Sequence, residues 1–524
     1  MGNYLNPGNS GFEEIRKSPY VDKSGLISLI NQTIGTKQKL TCISRPRRFG
    51  KSFAAQMLCA YYDRTCDSSS LFSDLMIAKD TQYTKHLNHY DVIYLDMTGI
   101  IGETSITDIV PYIKRNIVGE LTYAYPKLEV AEGFVSTLIR AAKSAGNRFI
   151  MVIDEWDAPI RETKDNPKAQ RDYLEFLRAL FKNSGATSQI FAAAYMTGIL
   201  PIKKDGSQSA ISDFCEFSVL DPGEYAVFTG FTEDEVQTLC HKYHMNFNDA
   251  KSWYDGYSFD KIHSVYNPYS VMSAMLSGKF KSFWKKTSAA EALLAYIDMD
   301  EDGLQNDIAR LISGEDIEVD TEGFENDLET FKNKDDVLTL LIHLGYLAYT
   351  EEYDGFGTVR IPNKEVRIEF NKILRKGKHK ELLRLIRMSD QLLEATILCN
   401  AELVANTIAK VHDSNYAPQF YNDEQALRSV VRYAYITCVD QYSKIEELPS
   451  GHGYADIVYL PKKKSTLPAM VIELKWNKTA EGALAQIKDR NYPAVLNHYS
   501  GELLLVAVNY DAKSKLHSCV IEKY

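Results

Sequence analysis

The segment SRPRRFGKS (44–52) contains a glycine, a lysine and a serine in the order that a phosphate-binding loop requires. In such a loop the backbone N–H groups surround phosphates, and the helix that follows points its positive end at them. Gly50 would allow close approach of the backbone, Lys51 would reach the β- and γ-phosphates, and the Ser52 hydroxyl would ligate Mg²⁺. The segment therefore predicts a site for a nucleoside triphosphate and its magnesium ion.

This loop departs from the general pattern at its first position, where Arg45 replaces a glycine. Pro46 is expected to set the turn instead, and Arg47, Arg48 and Phe49 complete the stretch before the glycine. The residues from Arg45 to Ser52 are the candidate contacts for the nucleotide in this loop. The alternative interpretation is a solvated basic loop, because three arginines and a lysine lie close together in the sequence.

A second group of candidates follows the apolar strand RFIMVIDEWD, which ends in two carboxylates. Asp154 would hold Mg²⁺, usually through water, and Glu155 would polarise the attacking water. A further apolar strand, QIFAAAYMTG, carries Thr197 near its end, where it could contact the γ-phosphate. Acidic strand ends and buried threonines are common without such roles. The order of the motifs, on separate strands, is what favours an ATPase.

A third group lies in GYADIVYLPKKKSTLPAMVIELKW, near the C-terminus. Asp456 begins one strand, and Glu473 and Lys475 lie two residues apart on the next, so that their side chains share one face. Two such carboxylates could share a divalent ion that polarises a phosphodiester, while Lys475 orients water or stabilises developing charge. The apolar residues around this pair would make unpaired charges costly. Glu424 on the preceding helix is a candidate third acidic ligand.

The elements that must position the first two groups alternate between apolar strands and helices. Four segments have the composition of buried strands: KLTCIS (39–44), DVIYLDM (91–97), RFIMVIDE (148–155) and QIFAAAYMTG (189–198). Helical patterns lie between them, at 53–62 and 168–182. Strand and helix in alternation predict a parallel sheet with helices on both faces.

After Pro222 the pattern becomes mostly helical, beginning with a helix that Thr232 and Glu235 are expected to cap. A helix over 335–347, a hairpin and a further helix from Asn363 together indicate a winged-helix-like piece. WYDGY (253–257) is interpreted as an aromatic packing knot or turn, and the alternative is a contact with nucleotide or a partner. The last segment follows the order helix, strand, strand, helix, strand: 423–439, 455–460, 469–476, 479–490 and 502–509.

The composition is that of an ordinary globular protein, with 45% hydrophobic and 25% charged residues among 524. A net charge of −10 argues against a surface coated in positive charge, although it leaves room for a local basic site. The eight cysteines form no CxxC pair and are interpreted as small buried residues in a reducing compartment. No apolar run reaches the roughly 18 residues that span a bilayer, and the N-terminus lacks the features of a signal peptide. We therefore expect a cytoplasmic location.

Several segments together resemble one bacterial family: FEEIRKSPYVDKSGLISLI, SRPRRFGKS, VIDEWDAPI, MTGIL, WYDGYSF and VYNPYSV. They are similar to the AAA-ATPase-like family, which typically carries a C-terminal PD-(D/E)xK nuclease-like domain. In that family RPRRFGKS replaces the generic first glycine, so that Arg45 matches the family. The resemblance implies that Tyr20, Val21, Asp22 and Lys23 lie near the nucleotide, on the adenine side. Asp22 is equally suited to cap a helix.

The resemblance also implies that Gln486 and Tyr492 belong to the family's QxxxxxY pattern, beside the acidic cluster of the nuclease core. The expected fold class is α/β, with a P-loop NTPase parallel sheet, a helical and winged-helix-like middle domain, and a restriction-endonuclease-like α/β domain. The expected domains are the P-loop ATPase domain, the middle domain, a helical connector and the nuclease-like domain: 1–222, 223–377, 378–416 and 417–524.

The expected function is an ATPase, using ATP and Mg²⁺, coupled to a metal-dependent nuclease that acts on nucleic acid phosphodiesters. The expected partner of the C-terminal domain is nucleic acid, DNA rather than RNA, although the sequence does not name the substrate. The alternative is a regulatory ATPase switch whose degenerate nuclease-like domain only binds nucleic acid or a protein partner. Glu155 argues against a non-hydrolysing scaffold, and the intact set of Asp456, Glu473 and Lys475 favours the first function. A homo-oligomer remains open, and no membrane partner is expected.

Overall fold

The fold is given by a computed structural model. It describes residues 2–162, 166–182, 184–202, 204–205, 208–209, 211, 213–259, 262–284, 303–324, 333–353, 355–374, 380–415, 423–450, 453–462, 466–489, 496 and 501–524. The chain divides into two compact units. Unit 1 contains Met1–Lys285 and Glu318–Val366, and unit 2 contains Lys286–Ile317 and Arg367–Tyr524.

Helices and strands alternate through much of the chain. The helices are α1 Ser10–Lys17, α2 Gly25–Thr33, α3 Lys51–Tyr62, α4 Ser69–Phe72, α5 Tyr83–His86, α6 Met97–Glu103, α7 Ile109–Ala124, α8 Phe134–Ala145, α9 Ala158–Glu162, α10 Pro167–Phe181, α11 Ser184–Ile190, α12 Glu233–Lys242, α13 Phe247–Tyr254, α14 Pro268–Ser277, α15 Leu304–Ile312, α16 Lys334–Leu344, α17 Lys364–Leu374, α18 Lys380–Ile397, α19 Ala401–Asn415, α20 Glu424–Ala434 and α21 Ala480–Asp489. The strands are β1 Leu40–Ser44, β2 Val92–Asp96, β3 Phe149–Asp154, β4 Phe191–Gly198, β5 Lys204–Asp205, β6 Gln208–Ser209, β7 Cys215–Phe217, β8 Phe231–Thr232, β9 Tyr257–Phe259, β10 Ile262–Tyr266, β11 Ile317–Asp320, β12 Ala348–Tyr353, β13 Phe356–Arg360, β14 Tyr442–Ser450, β15 Gly453–Pro461, β16 Ala469–Trp476, β17 Leu503–Asp511 and β18 Leu516–Lys523. Within the described ranges, no helix is both long and apolar enough to cross a membrane.

The main sheet of unit 1 has five parallel strands in the order β2-β3-β4-β1-β7. Successive residues of β3 enter two different apolar clusters, Met151 and Ile153 with α7, and Ile150 and Val152 with α3. Helices therefore cover both faces, which is why β1, β3 and β4 are buried along their whole length. The predicted parallel sheet is confirmed, with β7 as a strand that the sequence patterns missed.

The rest of unit 1 contains two small three-stranded sheets, β8-β10-β9 and β11-β13-β12. The Thr232 hydroxyl accepts from the Glu235 N–H and the Glu235 carboxylate accepts from the Thr232 N–H, so the expected cap of α12 is confirmed. Helix, hairpin and helix occur as α16, β12–β13 and α17, close to their expected positions. Strand β11 was not expected, and it gives this hairpin a third strand.

Unit 2 contains a five-stranded sheet in the order β14-β15-β16-β17-β18, antiparallel except for the β16–β17 pair. The predicted order helix, strand, strand, helix, strand is present as α20, β15, β16, α21 and β17. The first helix ends at Ala434 rather than at 439, and a short 3₁₀ turn follows it. Strands β14 and β18 were missed. Both lie at sheet edges, where the apolar signal is weak.

The two units divide the chain differently from the four expected domains. Residues 223–285 and 318–366 belong to the same unit as the parallel sheet, and no boundary of a unit lies at 222. The expected boundary at 416/417 lies outside the described residues. The four-domain division therefore stays a prediction. All eight cysteines lie in described segments, and none of them forms a disulfide there.

Candidate functional site

The loop between β1 and α3 has the backbone conformation that a phosphate-binding loop needs. Gly50 has a φ of +88°, and a Cβ added to it would meet nothing within 4 Å. Glycine adopts this left-handed conformation readily, and here it directly precedes the first residue of α3, Lys51. The N–H groups at the start of α3 therefore face the open side of the loop, where they could bind an anion.

The Lys51 side chain lies inside the loop. Its Nζ donates to the carbonyl oxygens of Arg45 and Pro46, both at 2.9 Å. Burial lowers the pKa of Lys51 to about 8, although the carboxylates of Glu155, Asp157 and Asp154 oppose this shift. The ammonium group is thus held where it can reach phosphate oxygens.

Asp154 and Thr197 meet at the carboxyl-terminal edge of the sheet, because β3 and β4 are parallel neighbours. The Thr197 hydroxyl donates to Asp154 and accepts the backbone N–H of Glu155 at 3.2 Å. Burial raises the pKa of Asp154, and hydrogen bonds from Thr197 and Ser52 oppose the increase. The predicted magnesium residues Ser52 and Asp154 are therefore together, and Thr197 holds the Asp154 carboxylate from the neighbouring strand.

Glu155 occupies a strained turn immediately after β3, with a φ of +53°. Its Oε2 accepts from the Thr98 hydroxyl at 3.0 Å and from the Arg161 guanidinium at 2.9 Å. Burial alone would raise the pKa of Glu155. The positive charges of Lys51 and Arg161 lower it by more, so that the pKa lies below its ordinary value. Glu155 therefore stays ionised, as a general base must.

Arg161 and Asp157 are functional-site residues that the sequence analysis missed. They lie four apart on and before α9, and Arg161 Nε donates to Asp157 Oδ2 at 2.9 Å. Asp157 is only 1% exposed. A signal was available, since acidic and basic residues four apart on a helix commonly pair. The spacing alone did not reveal that Glu155 would share the guanidinium.

The arginines of the loop do not form a solvated basic surface. Arg45 is completely buried, and its guanidinium donates to the carbonyl oxygens of Ser44, Phe217 and Ser218 and to the Thr229 hydroxyl. Burial lowers the pKa of Arg45 to about 9. The guanidinium therefore stabilises the protein around the loop through these internal hydrogen bonds, whereas the sequence pattern predicts that Arg45 contacts the nucleotide.

The other two arginines differ from Arg45. Arg48 Nη1 donates to the Phe283 carbonyl at 2.9 Å, and the guanidinium lies 4.4 Å from the centre of the Tyr269 ring. Arg47 is also half-buried, and its carbonyl oxygen accepts from the Asn267 amide at 3.4 Å. Both arginines thus join the loop to the segment around α14.

Phe49 connects the loop to the WYDGY motif. Its buried ring meets the Tyr257 ring edge-on, with centroids 5.3 Å apart, and the Tyr257 hydroxyl donates to the Gly345 carbonyl at 2.7 Å. Gly256 has a φ of +122° and lies against the Pro362 carbonyl, so that no side chain fits there. The structure supports the interpretation of this motif as a packing knot.

A cleft of about 360 Å³ opens beside the loop, and Tyr20, Val21 and Lys23 line it, as the resemblance implied. Met57 and Phe231 add apolar surface of the kind that a nucleobase can contact. Lys23 Nζ is bound by both carboxylate oxygens of Glu235 at 2.7 Å.

Asp22 has a local role instead. Its carboxylate accepts the N–H groups of Ser24 at 2.8 Å and Met76 at 2.7 Å. The residue directly before α2 is Ser24, so Asp22 is not that helix's N-cap. Asp22 therefore fixes the chain before α2 and ties it to Met76.

The residues of this site fit a nucleoside triphosphate with Mg²⁺. Ser52 and Asp154 supply a hydroxyl and a carboxylate, and oxygen atoms of these kinds are the ligands that Mg²⁺ prefers. Lys51 supplies a positive charge for the phosphates, and the cleft supplies apolar surface for the base. The donor atoms and the volume of the cleft are therefore both consistent with a nucleoside triphosphate and its magnesium ion.

The C-terminal cluster lies on neighbouring strands of unit 2. Glu473 Oε1 accepts from Lys475 Nζ at 3.0 Å and also from the Gln486 amide, so these side chains share one face. Asp456 Oδ2 accepts the Leu474 N–H at 2.8 Å, which brings it beside β16. Asp456, Glu473 and Lys475 are each at most 7% exposed. The structure therefore brings together Asp456, Glu473 and Lys475, with Gln486 beside them as the resemblance implied.

Arg428, rather than Glu424, contacts the acidic cluster. Its Nη2 donates to Asp456 Oδ1 at 2.5 Å, and Glu424 lies one turn earlier on α20. Among the described residues no three His, Cys, Asp or Glu side chains are arranged to hold a metal ion. Tyr492 lies outside those residues. The carboxylates of Asp456 and Glu473 are thus ligands of the kind that a divalent ion prefers, but Glu424, the expected third ligand, does not lie with them.

The fold and the two clusters define the class of protein. Unit 1 contains a P-loop NTPase domain, and unit 2 ends in a mixed α/β sheet with an Asp-Glu-Lys cluster. Residues 7–207 match the family described as "Predicted AAA-ATPase", AAA-ATPase-like, and residues 422–518 match the "PD-(D/E)XK nuclease superfamily". The chain carries an AAA-ATPase-like domain and a C-terminal PD-(D/E)XK nuclease superfamily domain, as the sequence resemblance implied.

Two individual proteins are also similar. An "uncharacterized protein in vnfD 5′region" of Azotobacter chroococcum mcd 1 is 24% identical over 97% of this chain and 96% of its own length. The structure of the Aeropyrum pernix ORC2 protein, in ADPNP and ADP complexes, covers 70% of this chain and 94% of its own at 10% identity. Its TM-score of 0.24 is too low to support the fold assignment.

Proposed function

We propose that this protein hydrolyses ATP and that its C-terminal domain is a metal-dependent nuclease acting on DNA under control of the nucleotide. One observation carries the ATPase proposal: Lys51, Ser52, Asp154 and Glu155 converge at the carboxyl-terminal edge of one parallel sheet. In sheets of this kind, ligands bind in the crevice at that edge.

Each residue of the ATPase site has a role that its position supports. Lys51 and the loop N–H groups bind the β- and γ-phosphates, and Ser52 and Asp154 would hold Mg²⁺. When bound, the ion neutralises charge on the phosphates. Glu155 accepts a proton from the attacking water, and Thr197 keeps Asp154 and the Glu155 backbone in register.

The nuclease proposal rests on the buried Asp456, Glu473 and Lys475. The two carboxylates would hold a divalent ion, which lowers the pKa of bound water when it is present. Lys475 lies next to Glu473, where its charge can stabilise the phosphate as negative charge develops. Burial of all three charges at one place is costly unless function or pairing retains them.

The second candidate function is a regulatory ATPase whose C-terminal domain binds nucleic acid or protein without cleaving. The ion pair between Arg428 and Asp456 favours it, because a guanidinium there competes with a metal ion for the same carboxylate. The two candidates differ in one measurable property, namely cleavage of a phosphodiester.

The ATPase test measures phosphate release and nucleotide binding in the full chain. We expect Lys51→Ala to lose binding, and Glu155→Gln to bind ATP normally while phosphate release falls at least about 100-fold. Glu14→Gln, at an exposed position, is the matched control. Hydrolysis by Glu155→Gln at the wild-type rate would show that Glu155 is not the base.

The nuclease test incubates the full chain with Mg²⁺ or Mn²⁺, with and without ATP, and with DNA and RNA in single- and double-stranded form. We expect cleavage of DNA that Glu473→Gln abolishes and that Glu481→Gln, an exposed control on α21, leaves unchanged. Binding of nucleic acid without any cleavage under these conditions supports the second candidate.

A further inference from the structure

The two carboxylate oxygens of Glu155 have different surroundings. Oε2 accepts two hydrogen bonds, from Thr98 and Arg161, while the described residues provide no hydrogen bond to Oε1. The side chain is 27% exposed and lines the cleft beside Lys51. One oxygen is therefore fixed by protein, and the other faces the place where phosphates and water would enter.

Arg161 is itself held in place, so that it can act as a fixed support. Its Nε donates to Asp157, and Asp157 accepts the N–H groups of Ile199 at 3.2 Å and Leu200 at 3.0 Å. Those two residues directly follow β4. A continuous chain of hydrogen bonds therefore runs from the end of β4, through Asp157 and Arg161, to one oxygen of Glu155.

The backbone of Glu155 does not by itself orient the carboxylate. Its left-handed conformation is a strained one for a residue with a side chain, and it is held by Thr197, whose hydroxyl accepts the Glu155 N–H. The last torsion of a glutamate side chain is broad and roughly two-fold. Without bonds to one oxygen, the carboxylate would rotate and present either oxygen, or its flat face, to water.

We propose that Arg161 is a positioning residue for ATP hydrolysis: it fixes Oε2 of Glu155 so that Oε1 faces the cleft and accepts the proton of the attacking water. The inference rests on the proposed ATPase function. Thr98 assists by holding the same oxygen from the start of α6. Arg161 is a positioning residue rather than a catalytic one, because it acts through Glu155: its Nη2 donates to the Glu155 carboxylate and its Nε to Asp157.

The test separates turnover from binding in the full chain. Arg161→Met removes both hydrogen bonds while keeping the length of the side chain, and we expect kcat to fall about 10- to 100-fold with KM within about twofold. Arg161→Lys keeps a charge beside Glu155 and should recover part of kcat. Thr98→Val removes the other bond to Oε2 from an exposed position and should lower kcat by a smaller factor, about threefold.

Glu155→Gln distinguishes this inference from the proposed function. If Glu155→Gln retains wild-type turnover, the ATPase assignment fails and the Arg161 inference fails with it. If Glu155→Gln is inactive but Arg161→Met and Arg161→Lys keep the wild-type kcat, only the inference fails. Equal losses in nucleotide binding and kcat would show a merely structural role and also overturn it. Should Arg161→Met not fold in a thermal melt, an unchanged kcat in both Arg161→Lys and Thr98→Val rejects the inference.

Discussion

Buried charges at single residues shape the nucleotide site, and each is matched by specific partners. The carbonyl oxygens around Arg45 and Lys51 and the hydroxyls around Asp154 replace the water that these charged groups lose on burial.

His343 on α16 differs from these groups, because the described residues provide no hydrogen bond to either of its ring nitrogens. It is 1% exposed, and its ring stacks on Phe324 at a centroid distance of 5.5 Å.

His343 should make the protein less stable in mild acid. Burial, with a smaller contribution from the facing charge of Arg45, lowers the pKa of His343 from 6.5 to about 3. Between these pH values the unfolded chain binds a proton that the folded chain does not. The stability is therefore complete above about pH 6.5 and falls as the pH decreases.

His343→Phe should remove this dependence while keeping the ring stack. At pH 5 we expect the variant to be more stable than wild type by about 2 kcal/mol relative to their difference at pH 8, since one pKa unit corresponds to about 1.4 kcal/mol. Urea unfolding at several pH values measures the difference, with His241→Gln at an exposed position as control. Parallel curves for wild type and His343→Phe would contradict the prediction.

Arg428 gives a second prediction at the residue scale. Because its guanidinium occupies an oxygen of Asp456, Arg428→Met should free that carboxylate and increase the affinity for Mn²⁺ at least about threefold. Isothermal titration of the full chain without nucleotide measures this binding. Arg432→Met is the matched control, since Arg432 lies one turn later on α20 and pairs with Glu446. Unchanged Mn²⁺ affinity would mean that Arg428 does not compete with the ion.

At the scale of elements, sequence patterns predicted what local composition determines. The apolar runs of β1, β3 and β4 are buried on both faces and are recognisable without the fold. The edge strands β14 and β18 are partly polar and were missed for that reason. Arg161 could not be assigned to Glu155 from sequence, because the contact depends on the turn at Glu155 and on how Asp157 is held by the residues after β4. The same holds for Arg428, which only the packing of α20 brings to Asp456.

The end of α16 is an element whose close packing can be tested. Gly345 caps this helix with a φ of +84°, and a Cβ there would lie 2.7 Å from the Pro46 Cβ. Gly345→Ala should therefore displace Pro46, whose carbonyl binds Lys51, and weaken ATP binding about tenfold in addition to costing about 1–2 kcal/mol of stability.

Gly278→Ala is the matched control for this substitution. Gly278 also caps a helix in the left-handed region, at a φ of +63°, but a Cβ there meets nothing within 4 Å. Both variants should lose the stability that a left-handed alanine costs, and Gly345→Ala should lose more because its Cβ meets Pro46. Only Gly345→Ala should bind a fluorescent ATP analogue less tightly. Equal affinities would show that Pro46 tolerates the displacement.

At the scale of the whole molecule, the residues of the two proposed chemistries lie in different units. Unit 1 has the nucleotide site, and unit 2 has the Asp456, Glu473 and Lys475 cluster. A nucleotide can control a second site only if it binds two states of the protein with different affinity. Control by nucleotide therefore requires that the rate of cleavage differ between the ATP-bound and the nucleotide-free protein.

We expect the full chain to cleave DNA with ATP and to be at least about tenfold slower without it. Lys51→Ala should be slow under both conditions, because it cannot bind the phosphates, while Glu14→Gln should behave as wild type. Gel analysis of labelled DNA measures the rates. Equal cleavage with and without ATP would mean that the two sites work independently within one chain.

The buried Arg45 has an evolutionary consequence. A mutation to glycine would restore the general loop pattern, yet it would leave three carbonyl oxygens and the Thr229 hydroxyl without their donor inside the protein. A protein with glycine at position 45 would therefore be less stable than the present one until further mutations supplied new donors, because the buried acceptors would have lost their hydrogen bonds. Descendants of this chain should keep the arginine long after selection on ATP hydrolysis has been relaxed, and the residue would then record ancestry rather than activity.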